Sequence, residues 1–220
     1  DSNVYTDALN TKLAAIEAIR NGQTKYTAVD GTPKLKKAVS DKFQRDNNIK
    51  YNIDEIIISV GGKQVLFNAL LSSINPGDEV IIPSPYWVSY PDMVALAGGK
   101  PIIVEGKSKN NFKIMPEDIK DKISIKTKWI IINSPSNPTG SSYSKKELKN
   151  IGDLLINYKN IFIMSDDIYE KIIYDDNKFY TIAEVVPELK DRILTVNGVS
   201  KAYAMTGWRI GYAGGPKTLI

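Results

Sequence analysis

The stretch IIISVGGKQVLFNALLSSI, residues 56–74, contains a short apolar run, a glycine pair and an amphipathic segment, in that order. The run at 56–60 is rich in isoleucine and valine, which is typical of a β-strand covered on both faces. Gly61 and Gly62 favour a turn, and residues 63–74 favour a helix. A strand that passes through a turn into a helix is the repeating unit of α/β proteins.

The same order recurs along the chain. The other apolar runs are EVIIP (79–83), PIIV (101–104), WIIIN (129–133), IFIMS (161–165), RILTV (192–196) and RIGYA (209–213). We predict helices over residues 6–21, 33–47, 63–74, 86–97 and 144–158. Thr32 and Pro33 form a cap followed by a first-turn proline, and Ser144 with Glu147 forms a capping box. Because strands and helices alternate, we predict an α/β fold with three layers, α/β/α, around a mostly parallel seven-stranded sheet.

Composition indicates a soluble globular protein. The 220 residues are 42% hydrophobic and 25% charged, which is enough for one sizeable core. No run approaches the roughly 18 apolar residues that span a bilayer, and the first ten residues do not resemble a signal peptide. We therefore expect a cytoplasmic protein with no membrane partner. The net charge of +4 comes from lysines scattered among acids, which argues against a nucleic-acid partner.

The chain contains neither cysteine nor histidine. Without cysteine there is no disulfide, thiolate nucleophile or cysteine metal site, and without histidine the commonest general base is missing. These absences exclude Ser-His-Asp hydrolases, papain-like proteases and ordinary zinc hydrolases, and we predict no metal site. Any chemistry must use Lys, Asp, Glu, Tyr, Ser, Thr or Arg side chains, or a cofactor.

Polar residues follow the ends of several predicted strands, where α/β sheets bind ligands. They are Gly62 and Lys63, Asn137, Asp166 and Tyr169, Ser200 and Lys201, and Arg209 at the start of the last strand. Each has a structural alternative: a plain glycine turn, a tight surface loop, a helix cap or a solvent-facing lysine. Together they suit a phosphorylated aldehyde cofactor, because a lysine can form an imine, an acid can keep a ring nitrogen protonated and cations can bind phosphate.

Five motifs resemble those of the class I aminotransferases, which are fold type I enzymes dependent on pyridoxal 5′-phosphate (PLP). The motifs are GGKQ (61–64), SPYWVSYP (84–91), NSPSNPTG (133–140), SDDIYE (165–170) and SKAYAMTGWRIGY (200–212). They are most similar to the bacterial aspartate aminotransferase branch. The resemblance implies a PLP-binding large domain at residues 25–220 after an N-terminal helical segment at 1–24. The family's C-terminal small domain, which binds the substrate's α-carboxylate, is expected to be absent from this chain.

The resemblance also implies a role for individual residues. Lys201 matches the lysine that forms the Schiff base and moves the proton, Asp166 the partner of the pyridine nitrogen, and Tyr169 a residue at the ring's 3′-oxygen. We expect these three to be catalytic. The remaining expected cofactor contacts are Asn137 at the same oxygen, Trp87 stacked on the ring, Gly62, Lys63, Ser200 and Arg209 at the phosphate, and Tyr26 at the phosphate of the other subunit of a homodimer.

Three functions fit these motifs. The first is ping-pong transamination between an L-amino acid, most simply aspartate, and 2-oxoglutarate, with prephenate or aromatic substrates as further possibilities. The second is a PLP-dependent β-lyase on the same fold. The third is a non-catalytic PLP-binding module of a regulator. As written, this chain is expected to bind the cofactor without full activity.

Overall fold

Seven strands form one sheet in the computed structural model, which describes the backbone of residues 2–220 and the side chains of residues 9–220. The strands are β1 (Ile56–Val60), β2 (Glu79–Ser84), β3 (Lys100–Glu105), β4 (Thr127–Asn133), β5 (Phe162–Asp166), β6 (Ile193–Gly198) and β7 (Ile210–Gly214). The α-helices of the described residues are α1 (Ser2–Arg20), α2 (Pro33–Asn47), α3 (Gly62–Ser73), α4 (Ser89–Leu96), α5 (Pro116–Lys120), α6 (Lys145–Ile156) and α7 (Ile182–Val185).

The sheet has the strand order β1-β7-β6-β5-β4-β2-β3. All neighbouring pairs from β6 to β3 are parallel, whereas β7 is antiparallel to both β1 and β6. The predicted mostly parallel sheet of seven strands is confirmed. A parallel return needs a crossover of a dozen or more residues, usually a helix, and residues 199–209 between β6 and β7 contain no α-helix. Because β7 therefore runs backwards, its first residues lie at the edge where the other strands end.

Helices cover both faces of the sheet, so the predicted three layers are confirmed. Successive residues of the central strand β4 point into two separate cores, with Ile130 and Ile132 on one face and Trp129 and Ile131 on the other. The first core is closed mainly by α2, α5, α6 and α7, and the second by α3 and α4. None of the helices in the described part of the chain is long and apolar enough to cross a lipid bilayer.

The predicted helix signals are confirmed at α2 and α6. Thr32 Oγ1 accepts from the Leu35 N–H at 3.3 Å, and Ser144 and Glu147 form the reciprocal capping box. The helix predicted over 86–97 begins only at Ser89, and the Tyr90 N–H donates to the Trp87 carbonyl in the turn that leads into it. The predicted helix at 6–21 begins four residues earlier, and the short helices α5 and α7 have no counterpart in the prediction.

Candidate active site

A cleft of about 320 Å³ opens at the edge of the sheet where the parallel strands end. All of the predicted site residues except Tyr26 line it: Gly62, Lys63, Trp87, Asn137, Asp166, Tyr169, Ser200, Lys201 and Arg209. They come from five separate regions at the ends of strands, so the fold brings together residues up to about 150 positions apart in the chain.

One end of the cleft has the groups that bind an anion. Helix α3 starts at Gly62, after Gly61 with φ of +86°, and no side chain caps its first turn. The first N–H groups of a helix have no partner within the helix, and the helix dipole adds partial positive charge there. Lys63 lies in the first turn of α3, the Arg209 guanidinium packs against Gly61, and Ser200 lines the same cleft. Such a set of donors and cations suits a phosphate group.

Glycine at position 61 has a packing reason as well as a conformational one. A Cβ atom there would lie 2.2 Å from Nη2 of Arg209, so the guanidinium packs directly on the turn. Gly211 in β7 is equally restricted, because its Cβ would lie 2.2 Å from the Gly62 nitrogen. Arg209 itself has φ of +53°, and its Nη1 donates to the Thr206 carbonyl at 2.9 Å. The glycine pair therefore does more than form a turn, because the turn also packs against the Arg209 guanidinium.

At the other side of the cleft a carboxyl group is buried without a cation. Asp166 is the last residue of β5 and is 5% exposed. Its Oδ2 accepts from the Tyr90 hydroxyl at 2.6 Å, and its Oδ1 accepts from the Ile168 N–H at 3.4 Å. No lysine or arginine among residues 9–220 forms an ion pair with it. Burial raises the pKa of Asp166 above its ordinary value, although both hydrogen bonds oppose the rise.

The helix-cap alternative for Asp166 or Asp167 is wrong, because residues 168–171 form a turn and not a helix. Asp167 is buried beneath the turn, where its Oδ1 accepts from the Ser165 hydroxyl at 2.8 Å. A buried carboxylate without a cationic partner is costly, so the Asp166 side chain fits a ligand that carries a positive charge.

The loop after β4 is anchored to Asp166 through Asn133. The Asn133 Nδ2 donates to the Asp166 carbonyl at 2.9 Å, and its Oδ1 accepts from the Asn137 N–H at 2.8 Å. Burial and the Asp166 carboxyl raise the pKa of Tyr169, and the neighbouring Asn137 side chain opposes the rise. The loop therefore holds Asn137 and Tyr169 side by side in the cleft and is more than a surface connection.

The Lys201 amine and the Trp87 indole also line the cleft. Lys201 is exposed, and its Nζ lies 5.9 Å from the centroid of the Tyr169 ring. Lys201 is therefore exposed to solvent, as the structural alternative expected, and it also lines the cleft. Trp87 packs edge-to-face on Tyr90, with ring centroids 5.5 Å apart, and Lys63 Nζ lies 4.7 Å from its centroid.

Five lining residues were not predicted: Leu66, Tyr90, Asn133, Ile168 and Thr206. Tyr90, Asn133, Ile168 and Thr206 each lie inside one of the quoted motifs. A spacing of three residues from Trp87 could have indicated Tyr90, since such spacing brings side chains to one face of a helical turn. Leu66 is an ordinary apolar residue that no sequence signal separates from the core.

Tyr26 lies outside the cleft. Its side chain is fully exposed, with a relative exposure of 108%, and the neighbouring Val29 is exposed to 101%. Because Tyr26 does not line the cleft of its own chain, its contact with a partner subunit's phosphate stays a prediction.

The donor set fits PLP. The α3 end of the cleft offers helix N–H groups and cations for a phosphate, and Asp166 offers a carboxyl group for a protonated ring nitrogen. Asn137 and Tyr169 lie beside that carboxyl group for a ring oxygen, and the Lys201 amine reaches the same space for an aldehyde. The cleft therefore has a partner for each polar group of the cofactor.

Comparison with known proteins gives one family. Residues 1–220 match the family described as aminotransferase class I and II. The chain is 61% identical over 211 residues to a probable aspartate/prephenate aminotransferase of Rickettsia conorii, covering 96% of this chain and 53% of that protein. It is 56% identical over 211 residues to the aspartate/prephenate aminotransferase of Cereibacter sphaeroides, with the same coverage. The crystal structure of the Rhizobium meliloti aspartate aminotransferase superimposes with a TM-score of 0.94 at 51% identity, over 96% of this chain and 52% of that one. The chain spans about half the length of the curated relatives it matches.

Proposed function

The chain belongs to the class I and II aminotransferase family, whose members use PLP, and from this premise we propose that it is the PLP-binding part of an aspartate aminotransferase. The observation that carries the proposal is a single cleft that combines a buried carboxyl without a cation among the described residues, an amine and an anion site at a helix N-terminus. Residues 25–220 would form the cofactor-binding domain and residues 1–24 the helical segment before it. The cytoplasmic location stays a prediction.

Residues at the two ends of the cleft would hold and orient the cofactor. When bound, PLP supplies an aldehyde that condenses with amines and a protonated ring that withdraws electrons from the substrate's Cα. The first N–H groups of α3, the Ser200 hydroxyl and the Arg209 guanidinium would bind the phosphate, which arginine can grip with two parallel hydrogen bonds. Asp166 would accept the hydrogen bond of the ring nitrogen and keep that nitrogen charged.

Other residues of the cleft would transfer the substrate's proton and cover one face of the cofactor ring. The Lys201 Nζ would take the proton from the substrate's Cα and hold it for the return transfer, as the family resemblance implies. Asn137 and Tyr169 would bind the ring's 3′-oxygen, and the Trp87 indole would stack on the ring and exclude water from it.

The substrates we propose are aspartate and 2-oxoglutarate, exchanged in a ping-pong cycle. The names of the relatives, aspartate and aspartate/prephenate aminotransferase, support this choice and add prephenate as a further candidate. The test is product analysis with aspartate and 2-oxoglutarate, using the protein that carries this chain. Oxaloacetate and glutamate are the expected products. Pyruvate and ammonia would instead indicate a β-lyase, and absence of turnover despite PLP binding would indicate a non-catalytic module.

We further propose a homodimer in which Tyr26 reaches the partner's phosphate. The exposed Tyr26 is preceded in the chain by α1, where the apolar Leu9, Leu13 and Ile16 recur on one face and are each at least 44% exposed. A large unpartnered apolar face favours an interface. By the family resemblance, the Tyr26 hydroxyl would then donate to the phosphate of the cofactor held by the second subunit.

Tyr26→Phe should weaken PLP retention about tenfold, because it removes one hydrogen bond to a charged group. The measurement is PLP release on dilution, followed by absorbance. Tyr174→Phe is the matched control, since Tyr174 is 74% exposed and lies away from the cleft. Equal retention in both variants, or a monomer in sedimentation experiments, would contradict the proposed contact.

A further inference from the structure

Tyr90 is a buried polar side chain of the cleft to which the family resemblance assigned no role. It lies in α4, is 2% exposed and donates its hydroxyl hydrogen to Asp166 Oδ2 at 2.6 Å. Its ring packs edge-to-face on Trp87 with an interplanar angle of 89°. Tyr90 therefore touches both the carboxyl proposed for the ring nitrogen and the indole proposed for the ring face.

Few other groups act on the Asp166 carboxyl. Among the described residues, its only other hydrogen bond is the 3.4 Å contact from the Ile168 N–H, and Tyr90 is its only side-chain donor. The other titratable groups near it are Asp167 and Tyr169, which carry no positive charge. The cations of the cleft, Lys63, Lys201 and Arg209, line its other sides without forming an ion pair with Asp166.

The direction of this hydrogen bond follows from burial. Burial and the adjacent Asp166 raise the pKa of Tyr90 well above that of free tyrosine, so the phenol keeps its proton and is the donor. A short O–H···O bond to a carboxylate is about twice as strong as one between neutral groups. In a buried site this bond stabilises the ionised form of the carboxyl group relative to the protonated one.

We propose that Tyr90 is a positioning residue that keeps Asp166 ionised and aimed into the cleft, where it would meet the ring nitrogen of the cofactor. The contact between Asp166 and the ring nitrogen rests on the proposed function, whereas control of the Asp166 charge by Tyr90 does not. Without the phenol, Asp166 would retain one long backbone hydrogen bond and would hold its proton more tightly.

The test is Tyr90→Phe, which removes one hydroxyl and keeps the ring against Trp87. Carboxyl ¹³C NMR of the PLP-free protein follows the titration of Asp166, whose resonance is assigned by its loss in Asp166→Asn. We expect Asp166 to become about a tenfold weaker acid in Tyr90→Phe, and PLP to bind about tenfold more weakly, since a hydrogen bond to a charged group is lost.

Tyr51→Phe is the matched control, because Tyr51 is 1% exposed and its hydroxyl lies 2.9 Å from Thr195 Oγ1, away from the cleft. It should lose similar stability without moving the Asp166 titration. Tyr90→4-aminophenylalanine keeps a donor at this position and should restore part of the native titration, even if the Phe variant folds poorly.

The outcomes separate the two proposals. An Asp166 titration that is the same in the native protein and in Tyr90→Phe would overturn the role of Tyr90. A shifted titration together with native protein that binds no PLP would support that role and overturn the proposed function. An equal shift in Tyr51→Phe would mean a general loss of packing and would also overturn it.

Discussion

Lys201→Ala is expected to abolish the absorption band that PLP acquires when it binds covalently to this protein, and to lower transamination by about four orders of magnitude. The residue has two proposed tasks, covalent attachment of the cofactor and transfer of the Cα proton. Its Nζ projects over Tyr169 in the cleft, where both tasks would take place. The first measurement is a PLP titration followed by absorbance from the near ultraviolet into the visible range.

Lys63→Ala is the matched control, because the cleft has a second lysine. Lys63 lines the same space, but its Nζ lies 4.7 Å from the Trp87 centroid, at the end proposed for the phosphate. This variant should bind PLP more weakly and keep the band. Borohydride reduction followed by peptide mass spectrometry identifies the attached lysine directly. A label on Lys63, or a band that survives in Lys201→Ala, would contradict the assignment.

Asp166→Asn should affect activity and stability in opposite directions. Loss of the carboxylate removes the group that keeps the ring nitrogen charged, so turnover should fall by about two to three orders of magnitude. The PLP-free protein, by contrast, should become more stable at neutral pH by about 1 kcal/mol, because a buried charge that has no cationic partner among the described residues is replaced by a neutral group of the same shape.

The sign of the pH dependence follows from the raised pKa of Asp166. A carboxyl that binds its proton more tightly when folded destabilises the folded state as pH rises above its unfolded pKa of about 4. The stability gain of Asp166→Asn should therefore be largest near pH 7 and should disappear as pH falls towards 4. Urea unfolding at several pH values measures it. A variant that is less stable than the native protein at every pH would contradict this account.

Asp167→Asn provides the comparison for both effects. Burial raises the pKa of Asp167 well above its ordinary value, and this residue does not line the cleft. Its replacement should change stability with the same pH dependence and leave PLP binding intact. Equal loss of PLP binding in the two variants would mean that the turn, and not the Asp166 carboxyl, carries the effect.

Local sequence patterns predicted most of the fold because the strands are buried on both faces. Each of the seven predicted strands lies within two residues of an observed one, and Thr32, Ser144 and Glu147 cap α2 and α6 as expected. The errors occur where the chain changes direction. The start of α4 was predicted at residue 86, directly after Ser84 and Pro85, whereas the helix begins at Ser89 and Trp87 before it lines the cleft.

The sequence by itself determined the α/β class, the chemistry available without histidine or cysteine, and nine residues of the cleft, because motif order and strand ends are local properties. Only the tertiary structure decided that β7 runs antiparallel, which places Arg209 on Gly61 at the edge where the parallel strands end. It also decided that Tyr90 meets Asp166, 76 residues away in the chain. Strand direction and contacts between distant residues depend on how the chain closes on itself, and no short stretch of sequence carries that information.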